Sequence, residues 1–360
     1  MLTDAERDLL YDLLRTPSPT GYEAAGQRKW AAALRPHADR VESDAYGNVW
    51  ATREGADPSA PSVMLEAHAD EIGFVVKYVT DEGFIHVDRI GGTDHAVARG
   101  RRVTFLGSKG PVLGVVGVTA IHLRDRKGEE KAPEVHDLYV DIGAASREEV
   151  LARGLRVGTP AVYTDAVEAL NERRLIGRAL DNRLGGFVLA QVVARLAEGE
   201  RPAATVHAVN AVQEEIGGHG ARMVAYRLDP AVALVLDVTH ATDSPGISKA
   251  QHGEVKLGGG PSITHGTVNH PMVVERLIEV AEQEGIPLQH ESSSRYSGTD
   301  TDVIFLTKQG IPSALVSIPM RYMHSTVETV DLEDVAHAVR LMAAFVRSVK
   351  SDEAFRVQID

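Results

Sequence analysis

Two adjacent carboxylates, Glu214 and Glu215, follow an apolar run and precede the glycine-rich segment 217–220. Neighbouring side chains of a β-strand point to opposite faces, so two such residues at a strand end could perform two different tasks within one site. One carboxylate could hold a metal ion while the other moves a proton. The simplest alternative is an exposed glutamate pair at a loop edge, because short motifs often match by chance.

Other acids and histidines also fall at the ends of strand-like runs or at a helix start. They are His68, Asp70, Asp181, Asp237 and His324. Parallel strands bring their carboxyl ends to one edge of a sheet, where open α/β folds place their active sites. We therefore expect these side chains to converge. Taken singly, His68 could be a core histidine, Asp181 a helix N-cap and Asp237 a turn residue.

The absence of cysteine limits the chemistry of any such site. It excludes disulfides, thiolate metal ligands and a cysteine nucleophile. Histidine and carboxylate donors suit zinc, cobalt or manganese, and we expect zinc first. Two divalent ions about 3.5 to 4 Å apart can share a carboxylate and a water, polarise a carbonyl and generate hydroxide near neutral pH.

Composition narrows the class of protein. A chain of 360 residues suggests two domains, and 43% hydrophobic with 25% charged residues is typical of globular proteins. A net charge of -13 argues against a nucleic-acid partner, because phosphate binding needs a basic surface. Segment 1–15 has the pattern of an amphipathic helix rather than a signal peptide. No apolar run approaches the roughly 20 residues of a membrane span, so we expect a cytoplasmic enzyme or binding protein.

The helices and strands that must position these residues are predicted from the hydrophobic pattern, which changes along the chain. From 71 to 164, short β-rich runs alternate with glycine turns, which predicts an inserted small barrel or sandwich domain. Segments 1–70 and 165–360 alternate strand-like runs with helical periodicity, which predicts an α/β fold with a mainly parallel mixed sheet covered by helices. The predicted helices span 2–14, 22–34, 182–197, 219–226, 271–284, 300–308 and 332–349. The predicted strands span 62–67, 204–213, 231–238 and 313–318, with a hairpin over 41–52.

Five blocks in order along the chain resemble those of a known family, the tetrahedral (TET-type) dinuclear metallo-aminopeptidases. Some members of that family carry glutamyl aminopeptidase or endoglucanase labels. The resemblance covers essentially the whole chain and implies a zinc exopeptidase-like fold. The blocks are LEAHADEIG at 65–73, RALDNR at 178–183, VQEEIG at 212–217, DVTHA at 237–241 and HSTVE at 324–328.

The resemblance implies a role for each residue of the site. One metal would be held by His68, Asp181 and Asp237, and the other by Asp181, Glu215 and His324, with Asp181 as the bridge. Glu214 would take a proton from the bridging water and return it to the leaving amine. Asp70, on the same face as His68, would accept the spare imidazole proton and fix the ring.

The resemblance also implies a substrate region and an assembly. Four residues are candidates for contact with the substrate, namely His122, Thr299, Asp300 and Arg321. His122 lies in the 71–164 insertion, which in related enzymes carries subunit contacts, so the histidine could reach a neighbour's site. We expect a homo-oligomer, most readily a dodecamer.

The leading interpretation is an aminopeptidase that removes N-terminal residues from short or unfolded peptides. Its alternative is a carboxypeptidase or amide deacylase on the same fold, which would need an arginine clamp for the terminal carboxylate. Four arginines lie near the blocks, namely Arg178, Arg183, Arg295 and Arg321. Further alternatives are a glycosidase using Glu214 with Glu215, which leaves the histidines without a role, and a non-enzymatic peptide-binding module.

Overall fold

The computed structural model describes residues 2–124 and 132–359. Within them, nine helices and seventeen strands form a central mixed sheet, a closed barrel and a small three-stranded sheet. The helices are α1 Asp4–Arg15, α2 Ala24–Leu34, α3 Arg147–Ala152, α4 Leu180–Ala197, α5 His219–Leu228, α6 Lys249–His252, α7 Pro271–Glu284, α8 Thr301–Ile304 and α9 Leu332–Ser348. The strands are β1 Arg40–Ser43, β2 Val49–Arg53, β3 Val63–His68, β4 Gly73–Val79, β5 Ile85–Ile90, β6 Arg102–Gly107, β7 Gly110–Val116, β8 Tyr139–Asp141, β9 Pro160–Tyr163, β10 Glu168–Ala169, β11 Arg174–Gly177, β12 Val206–Ala211, β13 Val232–His240, β14 Ser262–His265, β15 Gln289–Ser292, β16 Ser313–Met320 and β17 Glu328–Asp331.

The central sheet has eight strands in the order β1-β2-β12-β3-β13-β16-β14-β15. Its four middle strands run parallel, so their carboxyl ends lie at one edge. β3 and the first seven residues of β13 are buried, as expected for strands covered on both faces. The predicted mainly parallel mixed sheet is confirmed.

Side chains of β3 alternate between the two faces of the sheet. Val63 and Leu65 pack into the main core, to which α1, α2, α4, α7 and α9 contribute. Met64 packs on the opposite face with Ala221 of α5 and Ile304 of α8. Since His68 follows Met64 at an even spacing, it emerges on the face that carries α5 and α8.

The β-rich segment forms a closed antiparallel barrel in the order β4-β5-β8-β7-β6-β9. Its interior is apolar and includes Phe74, Ile85 and Phe105. A barrel rather than a sandwich therefore lies within the predicted 71–164 insertion, of which 125–131 fall outside the described residues.

Several predicted elements differ at their ends. The strand predicted over 204–213 stops at Ala211, and the helix predicted over 300–308 is reduced to Thr301–Ile304. Strands β10, β11, β14, β15 and β17 were not predicted. They have two to four residues each, too few to give a periodic signal. No helix among the described residues is long and apolar enough to cross a membrane.

Candidate metal centre and active site

All five predicted metal ligands meet at the carboxyl edge of the central sheet and line one cavity of about 680 Å³. Strand ends and turns supply them from five separate places in the chain. His68 ends β3, Asp181 lies in the first turn of α4, Glu215 follows β12, Asp237 lies on β13, and His324 precedes β17. The predicted convergence of these side chains is therefore observed.

Among the described residues, two of the three candidate donor groups share one carboxylate, that of Asp181, and the third joins His68 with Glu214 and Glu215. His68 Nε2 lies 3.2 Å from Asp181 Oδ1 and 3.7 Å from Asp237 Oδ1. His324 Nε2 lies 3.3 Å from Asp181 Oδ2 and 3.6 Å from Glu215 Oε2. Because the two oxygens of Asp181 face different groups, this residue has the geometry of a bridging carboxylate.

Glu214 also faces the cavity, since its Oε2 lies 3.8 Å from His68 Nε2. The predicted arrangement of Glu214 and Glu215 on opposite faces of a strand is wrong, because β12 has already ended at Ala211. Both glutamates lie in the turn that follows, and both side chains enter the same cavity.

Asn182, rather than Asp181, caps the regular part of α4. Its Oδ1 accepts a hydrogen bond from the backbone N–H of Gly185 at 3.0 Å, and its Nδ2 donates to the carbonyl oxygen of Leu236. The alternative in which Asp181 serves as an N-cap is therefore excluded by the contacts of its neighbour. The carboxylate of Asp181 is left to face the two histidines.

Glu328 is a buried residue of the site that the sequence reasoning did not single out. Its carboxylate accepts hydrogen bonds from the backbone N–H groups of Asp181 at 3.2 Å and His324 at 3.1 Å. It therefore fixes the backbone of Asp181 and of His324 together. Its place in the fifth block, four residues after His324, was an available signal.

Backbone carbonyl groups orient both imidazole rings. His68 Nδ1 lies 3.2 Å from the carbonyl oxygen of Asp70, closer than the 3.5 Å to the carboxylate that was expected to hold it. That carboxylate also accepts hydrogen bonds from the hydroxyl of Thr20 and the backbone N–H groups of Glu214 and Glu215. Asp70 thus ties the end of β3 to the turn that carries both glutamates.

The second imidazole is held by the barrel segment. His324 Nδ1 lies 3.1 Å from the carbonyl oxygen of Gly92, two residues after β5 ends. A Cβ atom at Gly92 would lie 2.6 Å from that same nitrogen, so only glycine allows the backbone this close. The barrel segment therefore forms part of the wall of the centre.

A buried ion-pair network lies on both sides of Asp181 in the sequence. Glu71 accepts from both Arg178 and Arg183, which stand three residues before and two residues after Asp181. All three side chains are almost fully buried. Two of the four arginines considered as carboxylate clamps are thus engaged in holding the fold.

More carboxyl groups than histidines line the cavity. Burial raises the pKa of Glu214 and Glu215 well above the ordinary value, and neighbouring carboxylates add to the rise. Burial also raises the pKa of Asp237. Burial alone would lower the pKa of His68, but Glu214 and the other carboxylates raise it well above its usual range.

The donor set fits a divalent cation. Carboxylates packed together in a buried site need a compensating positive charge. Glu215 Oε1 is buried without a hydrogen-bond partner, which leaves a lone pair for an ion. Two imidazoles and three carboxylates without thiolate are donors that suit zinc and its neighbours in the first transition series.

The four residues predicted to contact the substrate lie in different environments in the structure. Thr299 lines the cavity. Asp300 is buried and, with the buried Glu66, forms a carboxyl pair in which burial raises the pKa of Glu66 to about 8. Arg321 is bound by both oxygens of Asp243 at 2.6 and 2.7 Å. His122 lies in the exposed turn Ile121–Leu123 and is not among the described residues that line the cavity.

Glu66 was also missed, although the sequence carried a signal for it. A charged residue stands in the middle of the otherwise apolar run of β3, two residues before His68. A carboxylate at such a position must find a partner or stay protonated. The partner, Asp300, is 234 positions away and could not be read from the local pattern.

The fold and the donor cluster together define an α/β protein with a candidate metal centre built from histidine and carboxylate. The M42 glutamyl aminopeptidase family model matches residues 47–341, and the chain belongs to this family. The family and the cluster together indicate divalent metals. The predicted family, fold class and assignment as an aminopeptidase, a hydrolase of peptide bonds, are confirmed.

Several relatives resemble the chain over nearly its whole length. Lysyl aminopeptidase of Pyrococcus furiosus is 36% identical, over 95% of this chain and 97% of its own. Aminopeptidase APDkam598 from the archaeon Desulfurococcus kamchatkensis is 35% identical with a TM-score of 0.90, covering 97% and 96% of the two chains. TET1 peptidase of Pyrococcus horikoshii, 28% identical with a TM-score of 0.84 over 96% and 100%, assembles into a tetrahedron or a large octahedral shell.

Proposed function

We propose that the chain is a cytoplasmic, dinuclear metal-dependent aminopeptidase that removes N-terminal residues from short or unfolded peptides. The observation that carries the proposal is the position of Asp181, whose two oxygens face two separate histidine–carboxylate groups. His68, Asp181 and Asp237 would hold one ion, and Asp181, Glu215 and His324 the other. Zinc is the expected ion, with cobalt or manganese as alternatives.

Two bound divalent ions would polarise the scissile carbonyl group and lower the pKa of a water molecule. The remaining steps belong to the side chains. Glu214, adjacent to Glu215 and facing the cavity, accepts a proton from the attacking water at its carboxylate and delivers it to the departing amine. Its backbone N–H is bound by Asp70 at 3.0 Å, which holds its position relative to His68.

The charges around the cavity favour the amino end of a peptide over the carboxyl end. Buried carboxylates attract an ammonium group. Of the four arginines considered as carboxylate clamps, Arg178 and Arg183 are paired with Glu71, and Arg321 is paired with Asp243. Only Arg295 among these four is exposed near the site.

The chemical modification of a peptide's ends tests this proposal. We expect acetylation of the N-terminus to abolish cleavage, because it removes the ammonium charge, and amidation of the C-terminus to leave cleavage in place. Mass spectrometry of a peptide reacted with metal-loaded protein measures both. Release of C-terminal residues from the acetylated peptide would establish a carboxypeptidase instead. Chelation that leaves cleavage intact with the metals removed would exclude a metal-dependent mechanism.

We further propose that the 71–164 segment is an inserted domain that carries subunit contacts in a dodecamer. Several large apolar side chains in and beside the barrel are exposed, as is common at association surfaces. They include Leu113, Ile121 and Leu123, with 57%, 63% and 79% of their surface exposed. We expect light scattering to give a mass twelve times that of the 38.8 kDa chain. A monomer at micromolar concentration with full activity would contradict this expectation.

A further inference from the structure

A second cavity of about 430 Å³ opens beside the metal cavity. The two share walls, including Thr239, His240, Ser297 and Thr299. Because Thr239 lies two residues after Asp237 on β13, the second cavity begins within a short distance of the candidate metal ligands. Its position suits a substrate group attached next to the reacting bond.

Glu291 supplies the negative charge of this second cavity. Its Oε1 accepts a hydrogen bond from the hydroxyl of Thr239 at 2.7 Å, which fixes the carboxylate. Its Oε2 is buried without a hydrogen-bond partner. Burying a carboxylate oxygen without a hydrogen bond costs free energy, so this arrangement favours a ligand that supplies a hydrogen-bond donor.

Ser317 provides a second unpaired polar atom in the wall of the same cavity. The side chain is 1% exposed, and its Oγ has no hydrogen-bond partner among the described residues. It stands on β16 directly opposite Asp237 in the parallel ladder, on the side of the sheet that faces the metal centre. The cavity therefore presents a fixed carboxylate and a hydroxyl group beside the reaction site.

One cationic side chain also lines the cavity. Arg295 is exposed, and its guanidinium lies 5.8 Å from the ring centroid of Tyr296. Solvent and salt screen an exposed charge more strongly than a partly buried one. The half-buried Glu291 therefore sets the sign of the charge that a bound group meets.

We propose that this cavity receives the side chain of the substrate's N-terminal residue and that Glu291 selects lysine or arginine there. The inference rests on the proposed aminopeptidase function and specifies its substrate class. A lysine ammonium carries three donors and no acceptor, so it suits the two unpaired acceptor atoms of this cavity, Glu291 Oε2 and Ser317 Oγ. A glutamate side chain would instead meet a fixed like charge.

Lysine and norleucine provide the sharpest comparison, because their side chains have similar length and differ mainly in the charged end. We expect kcat/KM for the lysyl fluorogenic amide to exceed that for the norleucyl amide, and that for the glutamyl amide to be lowest. Glu291→Gln keeps the hydrogen bond from Thr239 but removes the charge. It is expected to reduce the lysyl to norleucyl ratio about 10-fold to 100-fold. Glu275→Gln, an exposed change on α7, is the charge-matched control and should leave that ratio unchanged.

Calorimetry of lysinamide and norleucinamide binding gives a readout that does not depend on turnover. If the glutamine variant fails to fold, Glu291→Ala removes the same charge. The inference is overturned if the native protein prefers norleucyl or glutamyl substrates, if the ratio survives Glu291→Gln, or if Arg295→Gln rather than Glu291→Gln changes it. Cleavage of norleucyl but not lysyl amides refutes the selection by Glu291 while retaining the aminopeptidase. Failure to cleave any free N-terminus refutes the proposed function itself.

Discussion

Replacing Glu214 with glutamine is expected to lower kcat about 100-fold to 10,000-fold, the range typical of a lost general base. The amide has nearly the same shape as the carboxylate but cannot accept the proton. The backbone at this position is held by Asp70, so the substitution should leave the surrounding turn in place. Both metal sites are expected to fill as in the native protein.

The neighbouring substitution Glu215→Gln is a matched control. Both glutamates lie in the same turn and face the same cavity, but only Glu215 lies beside His324 in the second donor group. Elemental analysis should show metal retained in Glu214→Gln and reduced in Glu215→Gln. The opposite pattern would require the two roles to be exchanged.

Replacing Asp181 with asparagine is expected to weaken both metal sites together. Each oxygen of Asp181 faces a different histidine, so a neutral amide removes a negative charge from both groups at once. Loss even of a residue that only orients a metal ligand typically costs about 10-fold to 100-fold in metal affinity. The loss of a shared ligand should equal or exceed the upper end of that range for each ion.

The substitution Asp237→Asn tests whether the loss of both ions is specific to Asp181 or follows from the loss of any carboxylate in the site. Asp237 lies in the group of His68 and not in that of His324. Calorimetric titration of the metal-free variants should therefore show one metal-binding event fewer for Asp237→Asn and neither event for Asp181→Asn. Circular dichroism should show that both variants retain the fold. Two metals bound tightly by Asp181→Asn would exclude the bridging role.

The parts of the site that were predictable are those that depend on local pattern. β3 is an apolar run, interrupted by Glu66, that ends in His68, and the apolar run 232–236 of β13 leads directly to Asp237, so the convergence of the two side chains followed from the parallel sheet. The contacts of Glu328, Glu66 and Asp300 join residues distant in sequence. Their pairing depends on the assembled fold, which periodicity does not encode.

The turns that carry the ligands were less predictable for a different reason. Gln213, Tyr322 and His324 adopt positive φ angles of 62°, 61° and 60°. Residues other than glycine seldom adopt this left-handed region, and tertiary contacts must stabilise them there. Turn propensities therefore do not predict that β12 ends three residues before Glu214. They also do not predict the backbone conformation that directs the His324 side chain toward Asp181.

The contact between Gly92 and His324 links the barrel to the metal centre thermodynamically. An ion that favours one placement of His324 also favours the placement of the barrel segment whose carbonyl group orients that ring. Linkage is reciprocal, so whatever holds the barrel in that position raises the affinity for the ion by the same factor. If the subunits assemble through the barrel, as proposed above, assembly and loading of the second metal site are expected to be positively cooperative, and protein diluted to separate subunits is expected to release that ion more readily than the assembled form.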